Sequence, residues 1–340
     1  MNDEIKESLS MKAVLGRLIE NRHLSRDEAR EVLHGLATAQ YNDSQVAAFL
    51  TVFLMRAIRT EELEGFRDAM LELCLPVNLD GRPAIDLCGT GGDGKDTFNI
   101  STTASFVTAG AGVPVAKHGN YGVSSISGSS NVLAALGCRF SADPDVMRHS
   151  LDRAGICFMH APFFHPAMKH VAPIRKELGL RTFFNMLGPM VNPSRPPFQL
   201  VGVYSLELAR LYGYIYQNTG KGFSIVHALD GYDEVSLTSP CKLITPDGEG
   251  LITARHLGLD SFSQIDLHGG ATVEASAKIL TDVLDGKGTQ AQEQVVLANA
   301  TLAIATARNC AYDEALASAR ESIASGAATK ALKTFLETNS

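Results

Sequence analysis

Residues 89–102, Gly89-Thr-Gly-Gly-Asp-Gly-Lys-Asp-Thr-Phe-Asn-Ile-Ser-Thr102, have the types and spacing needed to hold phosphate. Glycines let a backbone come close to a ligand and take φ > 0 without strain. Thr97, Asn99, Ser101 and Thr102 add hydroxyl and amide donors. An apolar run, Ala84 to Cys88, precedes the loop and reads as a buried strand; a small-residue run, Thr102 to Val107, follows it and reads as a helix. Strand, glycine loop and helix aim backbone N–H groups and the positive end of a helix dipole at one spot.

Two nucleotide-binding patterns nearly fit this loop, and each fails on a residue. Gly89, Gly91 and Gly94 satisfy G-x-G-x-x-G, but that fingerprint needs an acid about 20 positions on for a ribose hydroxyl. No Asp or Glu occurs from Thr97 to Ala142. Gly89 to Asp96 matches the P-loop until its last position, where Asp96 replaces the magnesium-binding hydroxyl.

The acid-free stretch carries a second cluster, Lys117-His-Gly-Asn-Tyr-Gly-Val-Ser-Ser125, after the apolar segment Val113 to Ala116. Ser129 and Ser130 then precede an apolar run, Val132 to Leu136, and read as capping hydroxyls of a third helix start. A region with one lysine, many small donors and no carboxylate suits a ligand with several negative charges. Further on, Asp233 and Glu234 stand side by side after the apolar run ending at Ala228. Adjacent carboxylates repel unless they share a cation, and magnesium, which takes carboxylate and phosphate oxygens, is the natural one. Taken alone, the pair reads equally as a solvated turn. His160, His165 and His170 recur every five residues, a spacing that does not put three metal ligands on one helical face.

These residues need rigid elements to position them. The chain has 340 residues, a soft prior of two domains. A net charge of −7 argues against a nucleic-acid or anionic-membrane binder. Six scattered cysteines lack metal spacing and suit a reduced compartment. Met1, Asn2, Asp3 and Glu4 lack the basic start and apolar core of a leader, and the apolar run from Val46 stops at Arg56, too short to span a bilayer. A cytoplasmic location is expected.

The first 75 or so residues read as all-helical. Ser25 with Glu28, and Asn42 with Gln45, form capping-box patterns. Residues 76–83 read as a linker. Short apolar runs then alternate with helical stretches, predicting a mostly parallel sheet with strands at Ala84–Cys88, Val113–Ala116, Ile156–Met159, Leu200–Tyr204 and Phe223–Ala228. Pro246, Asp247 and Gly248 mark a hairpin, and helices return from Val273.

Gly89-Thr-Gly-Gly-Asp, Asn99-Ile-Ser-Thr, Lys117-His-Gly-Asn and Arg181-Thr-Phe-Phe-Asn-Met-Leu-Gly-Pro-Met-Val-Asn-Pro193 occur together and in order. In this combination the chain, from about Met11 to Leu336, resembles the anthranilate phosphoribosyltransferase family of tryptophan biosynthesis. The resemblance implies an α/β fold of nucleoside phosphorylase/phosphoribosyltransferase type. A small helical domain (1–77, with a returning segment at about 166–188) would accompany a larger α/β domain (78–165 and 189–340), with the cleft between them.

The ligands implied are 5-phosphoribosyl 1-diphosphate, anthranilate and Mg2+, and the assembly implied is a homodimer. For 5-phosphoribosyl 1-diphosphate the resemblance implies Gly89, Gly92, Asp93, Thr97, Asn99, Ile100, Ser101 and Thr102. It adds Lys117, His118, Gly119, Asn120, Tyr121, Gly122, Val123, Ser124, Ser125 and Ser129. Gly89, Asn120 and Arg175 are implied for anthranilate, and Ser101, Asp233 and Glu234 for the metal. No residue is assigned as an acid–base catalyst, since the amine of anthranilate is nucleophilic without prior deprotonation. Two departures stand out: Tyr121-Gly122 where many relatives have Arg-Ala, and Ser129-Ser130-Asn131 where they often have Ser-Ala-Asp. A pyrimidine-nucleoside phosphorylase-like enzyme and a nucleic-acid-binding relative are the competing readings; the first expects a different lysine loop and the second a basic surface.

Overall fold

The structure is a computed structural model and describes residues 9–122 and 126–340. The chain forms two compact units: Met1–Pro76 with Pro162–Pro193, and Val77–Ala161 with Ser194–Ser340.

The first unit is helical, with α1 (Met11–Ile19), α2 (Arg26–Ala37), α3 (Asp43–Met55) and α4 (Thr60–Leu73). Both capping boxes form. The Ser25 hydroxyl accepts from the Glu28 N–H while the Glu28 carboxylate accepts from the Ser25 N–H, and Asn42 with Gln45 does the same for α3. Gly65 on α4 has no side chain where a Cβ would overlap the backbone of Arg26, so α2 and α4 pack closely. The core is aromatic: Phe49 and Phe53 of α3 and Phe66 of α4 surround Phe183, whose ring stacks on Phe66 at 4.4 Å. That stack ties the returning segment to the first four helices. Within the segment, prolines restrict helix to short pieces at Pro166–Lys169, Ala172–Leu178 and Phe184–Leu187.

The second unit opens with β1 (Ile85–Gly89), α5 (Ile100–Gly110), β2 (Val115–Gly119), α6 (Ser129–Ala135), α7 (Pro144–Ala154) and β3 (Ile156–His160). It resumes with β4 (Phe198–Gly202), α8 (Leu206–Gln217), β5 (Gly222–Ala228) and the hairpin β6 (Cys241–Thr245) and β7 (Gly248–Ile252). Helices α9 (Val273–Leu284), α10 (Gln290–Arg308), α11 (Tyr312–Ala324) and α12 (Ala327–Thr338) close the chain. The sheet order is β3-β2-β1-β4-β5-β6-β7. The first five strands are parallel, and β6 and β7 are antiparallel. The chain winds outward from β1 to β3 and then restarts at β4 on the other side of β1. Beyond the carboxyl ends of strands at such a switch point is where open α/β sheets bind ligands. The last residues of these two strands, Gly89 and Gly202, are paired in register.

Several boundaries differ from the sequence expectation. Strand β2 starts at Val115, because Pro114 has no N–H to pair; its carbonyl instead accepts from Ile85 at 2.9 Å. Lys117 and His118 therefore lie inside the strand and are buried. Strand β4 runs from Phe198 to Gly202, and α5 begins at Ile100, which puts Ser101 in its first turn. Ser129 and Ser130 do not cap α6. Gly128 is the cap residue, and Asn131 Oδ1 accepts from the N–H groups of Gly122 and Gly128 at 2.9 and 3.0 Å. Among the described residues no helix is long and apolar enough to cross a membrane.

Candidate active site

The two paired glycines make a seat. A Cβ on Gly89 would overlap the carboxylate of Asp233, and one on Gly202 would overlap the Asp233 backbone carbonyl. Asp233 thus rests on the ends of β1 and β4 and is 8% exposed. Its Oδ2 accepts from the Gly91 N–H at 2.7 Å. Gly91, Gly92 and Gly94 all have positive φ, near 65°, 78° and 72°, which is how the loop turns three times in four residues.

Glu234 reaches the start of α5, where its Oε1 accepts from the Ser101 N–H at 3.2 Å. An acid at this position is favoured by the helix dipole. Burial holds the Glu234 carboxyl well above the usual range, and the neighbouring Asp233 adds to the shift while Lys117 opposes it. Asp233 is raised too, by burial and then by Asp93, against the Gly91 N–H. Burial also raises Asp93. Three acids therefore crowd the loop.

One buried cation faces them. The Lys117 side chain is 2% exposed; its ammonium donates to the Leu87 carbonyl and lies 3.4 Å from Ser101 Oγ. A surface lysine is excluded. Strands β1 and β2 pair at Ile85 and Val115. Beyond that point side chains bridge the strands: Lys117 bonds Leu87, and the His118 N–H donates to the buried Asp86 carboxylate at 3.2 Å. Ile100 and Thr102 are each 1% exposed, so the Thr102 hydroxyl, expected from sequence as a donor to the ligand, is buried. The Asn99 amide donates to the Ser127 carbonyl at 2.9 Å, and Thr97 bridges to His268.

The second loop is pinned to α6. The Asn120 carbonyl accepts from the Ser130 N–H at 3.1 Å and from Ser129 Oγ at 3.3 Å. A Cβ on Gly119 would overlap Ser129 Oγ, and one on Gly128 would overlap the backbone of Gly122. Tyr121 sets its ring edge against His160 at 4.9 Å; His160 in turn stacks on Phe140 and bonds Ser130 Oγ at 2.9 Å. The Asn131 departure is structurally mild, because its amide oxygen still accepts two N–H groups. Val123, Ser124 and Ser125 lie outside the described residues.

In the helical unit, the half-buried Arg175 projects from Ala172–Leu178. It donates to Asn185 Oδ1 at 3.1 Å and lies over the Phe184 ring at 5.2 Å. Among the described residues its Nε has no hydrogen-bond partner, and burial lowers the guanidinium pKa. A desolvated guanidinium held by neutral groups is a receptor for a planar carboxylate. His160 ends β3, whereas His165 is buried in the helical unit, its pKa lowered by burial to about 4.

Sequence reading missed Gly202 and Asp86. Gly202 carried a usable signal, since a glycine in an apolar strand marks a close backbone approach. Asp86, one acid inside an apolar run, carried none.

Known proteins resemble the chain in sequence and fold. Residues 81–329 match the "Glycosyl transferase family, a/b domain" and residues 12–74 the "Glycosyl transferase family, helical bundle domain". The anthranilate phosphoribosyltransferase of Flavobacterium johnsoniae is 58% identical over 327 residues, covering 96% of this chain and 99% of that protein. The crystal structure of anthranilate phosphoribosyltransferase from Thermus thermophilus matches with a TM-score of 0.89 at 33% identity, over 95% of this chain and 98% of that one. The Saccharomyces cerevisiae enzyme, solved in complex with PRPP and Mg, matches with a TM-score of 0.90 at 28% identity, over 97% and 99%. Glycine loop, acidic seat and helical bundle thus agree with kinship along nearly the whole length, and the chain belongs to the anthranilate phosphoribosyltransferase family.

Proposed function

We propose that the chain transfers the phosphoribosyl group of 5-phosphoribosyl 1-diphosphate to the amine of anthranilate. The products are N-(5-phosphoribosyl)anthranilate and diphosphate, in tryptophan biosynthesis. The observation that carries this reading is the acidic seat, with Asp233 buried and Glu234 half-buried at the switch point beside the glycine loop, the α5 N-terminus and Lys117. Such a site binds a polyanion only together with a cation. The relatives favour the transferase over the phosphorylase and nucleic-acid readings.

The donor set fits magnesium. It consists of hard oxygens, from Asp233, Glu234 and the Ser101 hydroxyl, and the acids are raised by burial and mutual repulsion in a way a cation relieves. Mg2+ takes one or two carboxylates plus substrate phosphates rather than an all-protein cage. Among the described residues no group of three His, Cys or acidic side chains forms such a cage. When bound, the ion supplies positive charge to the departing diphosphate.

The chain's own residues do the rest by positioning and electrostatics. The glycine loop and α5 hold diphosphate and ribose, and Lys117 with the second loop holds phosphate. Arg175 takes the anthranilate carboxylate in two parallel hydrogen bonds; Gly89 and Asn120 are the further anthranilate residues that the family resemblance implies. The amine nitrogen attacks ribose C1, the bond from C1 to the diphosphate oxygen breaks with its electrons going to diphosphate, and the nitrogen releases one proton.

A cytoplasmic homodimer is part of the same proposal. All six cysteines are free thiols, which supports a reducing compartment. Ile19 and Met55, 70% and 84% exposed on the helical unit, support an interface there. Loss of anthranilate fluorescence on adding 5-phosphoribosyl 1-diphosphate, with and without magnesium, tests the reaction. No magnesium-dependent loss would reject it. Light scattering tests the dimer.

A further inference from the structure

The glycine loop carries one cation, Lys95, which has no part in the mechanism above. It follows Gly94, and its N–H donates to Asp93 Oδ1 at 3.0 Å. Its ammonium lies 4.6 Å from the centroid of the Tyr232 ring, so the residue directly before Asp233 faces the loop. The ammonium also donates to Gln264 Oε1 at 3.4 Å, and Gln264 Nε2 donates to Asp230 at 3.1 Å. Its ring contact and its side-chain hydrogen bond are thus to neutral groups, and the Asp93 carboxylate attracts the ammonium only through space. A half-exposed cation–π contact and one long bond to an amide are weak beside a charge-assisted bond to phosphate.

Charge balance at the seat asks for more than Lys117. Asp93, Asp233 and Glu234 put three carboxylates against one buried ammonium, and a diphosphate adds further negative charge. Lys95 sits at the rim of this group on a four-carbon stem with three rotatable donors. Its backbone is already fixed by the bond to Asp93, so binding would re-aim only the side chain.

We propose that Lys95 is a further binding residue for the diphosphate, turning from the Tyr232 ring and Gln264 onto its oxygens. The proposal rests on reading the glycine loop as the diphosphate site. It makes Lys95 a determinant of 5-phosphoribosyl 1-diphosphate affinity, acting beside the metal acids and independently of anthranilate.

The test measures 5-phosphoribosyl 1-diphosphate binding by calorimetry with magnesium, and the KM of both substrates. The proteins are the unsubstituted chain, Lys95→Met, Lys95→Arg and Gln264→Ala. Lys95→Met keeps the stem and removes the charge. We expect it to weaken binding and raise the KM for 5-phosphoribosyl 1-diphosphate roughly tenfold, the scale of a lost charge-assisted contact. The KM for anthranilate and the thermal melt should hold, and the salt dependence of binding should flatten. Lys95→Arg should retain most of the affinity. Gln264 is exposed, so Gln264→Ala cuts the tether without risk to the fold and should leave affinity within about twofold. Unchanged binding in Lys95→Met overturns the proposal. So does an equal loss in Gln264→Ala, which would make Lys95 a tether of the loop. If the unsubstituted chain binds no 5-phosphoribosyl 1-diphosphate, the reading of the whole site fails and takes this proposal with it.

Discussion

Replacing Asp233 with Asn and Glu234 with Gln separates the charge of the acidic seat from its shape. The amide oxygens can still accept from the N–H groups of Gly91 and Ser101, and the backbone can still rest on Gly89 and Gly202. What disappears is a pair of adjacent acids, one buried and one half-buried. Each unit of upward pKa shift in an ionised carboxylate costs about 1.4 kcal/mol. Lys117 and the two N–H donors offset part of that, so a net gain of about 1–2 kcal/mol is expected, or roughly 2–8 °C in Tm. The sign depends on pH. A carboxyl with a raised folded pKa favours the fold below its unfolded value near 4, and that contribution is lost as pH rises through the folded pKa. The stabilisation of the double variant should therefore be larger at pH 8 than at pH 5. Magnesium should narrow the gap at pH 8 by stabilising the unsubstituted chain. Turnover should fall on the order of 100-fold and lose its magnesium dependence, since the charge aimed at the leaving group is gone. The KM for anthranilate should hold. Melts at both pH values with and without magnesium, together with rate against magnesium, decide the matter. An unchanged magnesium dependence, or a lower Tm at every pH, would refute the reasoning.

Arg175→Ala should raise the KM for anthranilate roughly 10- to 100-fold, the scale of a lost charge-assisted hydrogen bond, and leave the KM for 5-phosphoribosyl 1-diphosphate unchanged; steady-state kinetics in both substrates checks this. Gly91→Val puts a β-branched residue at a φ of 65° in open space, so it should cost roughly 1–2 kcal/mol of backbone strain and abolish 5-phosphoribosyl 1-diphosphate binding by calorimetry. Gly202→Ala should push Asp233 off the strand ends and raise the magnesium concentration needed for half-maximal rate, without altering the KM for anthranilate. His165 is buried and neutral, with its pKa lowered to about 4, so its contribution is complete above the unfolded value near 6.5 and is lost as pH falls toward 4. Denaturant midpoints for His165→Asn should show a flatter profile across that window than the unsubstituted chain.

Much of the frame was legible because local rules decided it. The capping boxes at Ser25 and Asn42 form as their spacing demands, and the glycine loop turns where Gly91, Gly92 and Gly94 permit positive φ. Tertiary contacts defeated the rest. Lys117 looked like a loop residue because strand pairing slides past Pro114, which composition cannot reveal. The serines before α6 carry the usual capping chemistry, yet Ser130 is drawn to His160 and Asn131 holds the turn instead. Asp233 and Glu234 read equally as a surface turn until the register of Gly89 with Gly202 placed them over the sheet. The part assigned to Arg175 came from resemblance, since one arginine on a proline-broken helix has no pattern of its own.

The position of Phe183 has a consequence for how the chain acquires its structure during synthesis. Helices α1 to α4 leave the ribosome first, but Phe49, Phe53 and Phe66 must wait more than a hundred residues for the ring that completes their cluster. Phe183 lies after β3 and before β4, so the helical unit closes while the sheet still ends at β1. Only afterwards does β4 bring Gly202 alongside Gly89, and Asp233 arrives later still. Chain order thus lets the nascent protein cover this aromatic cluster before it assembles the charged seat, and a delay in translation between residues 160 and 190 would prolong the interval in which the cluster is incomplete.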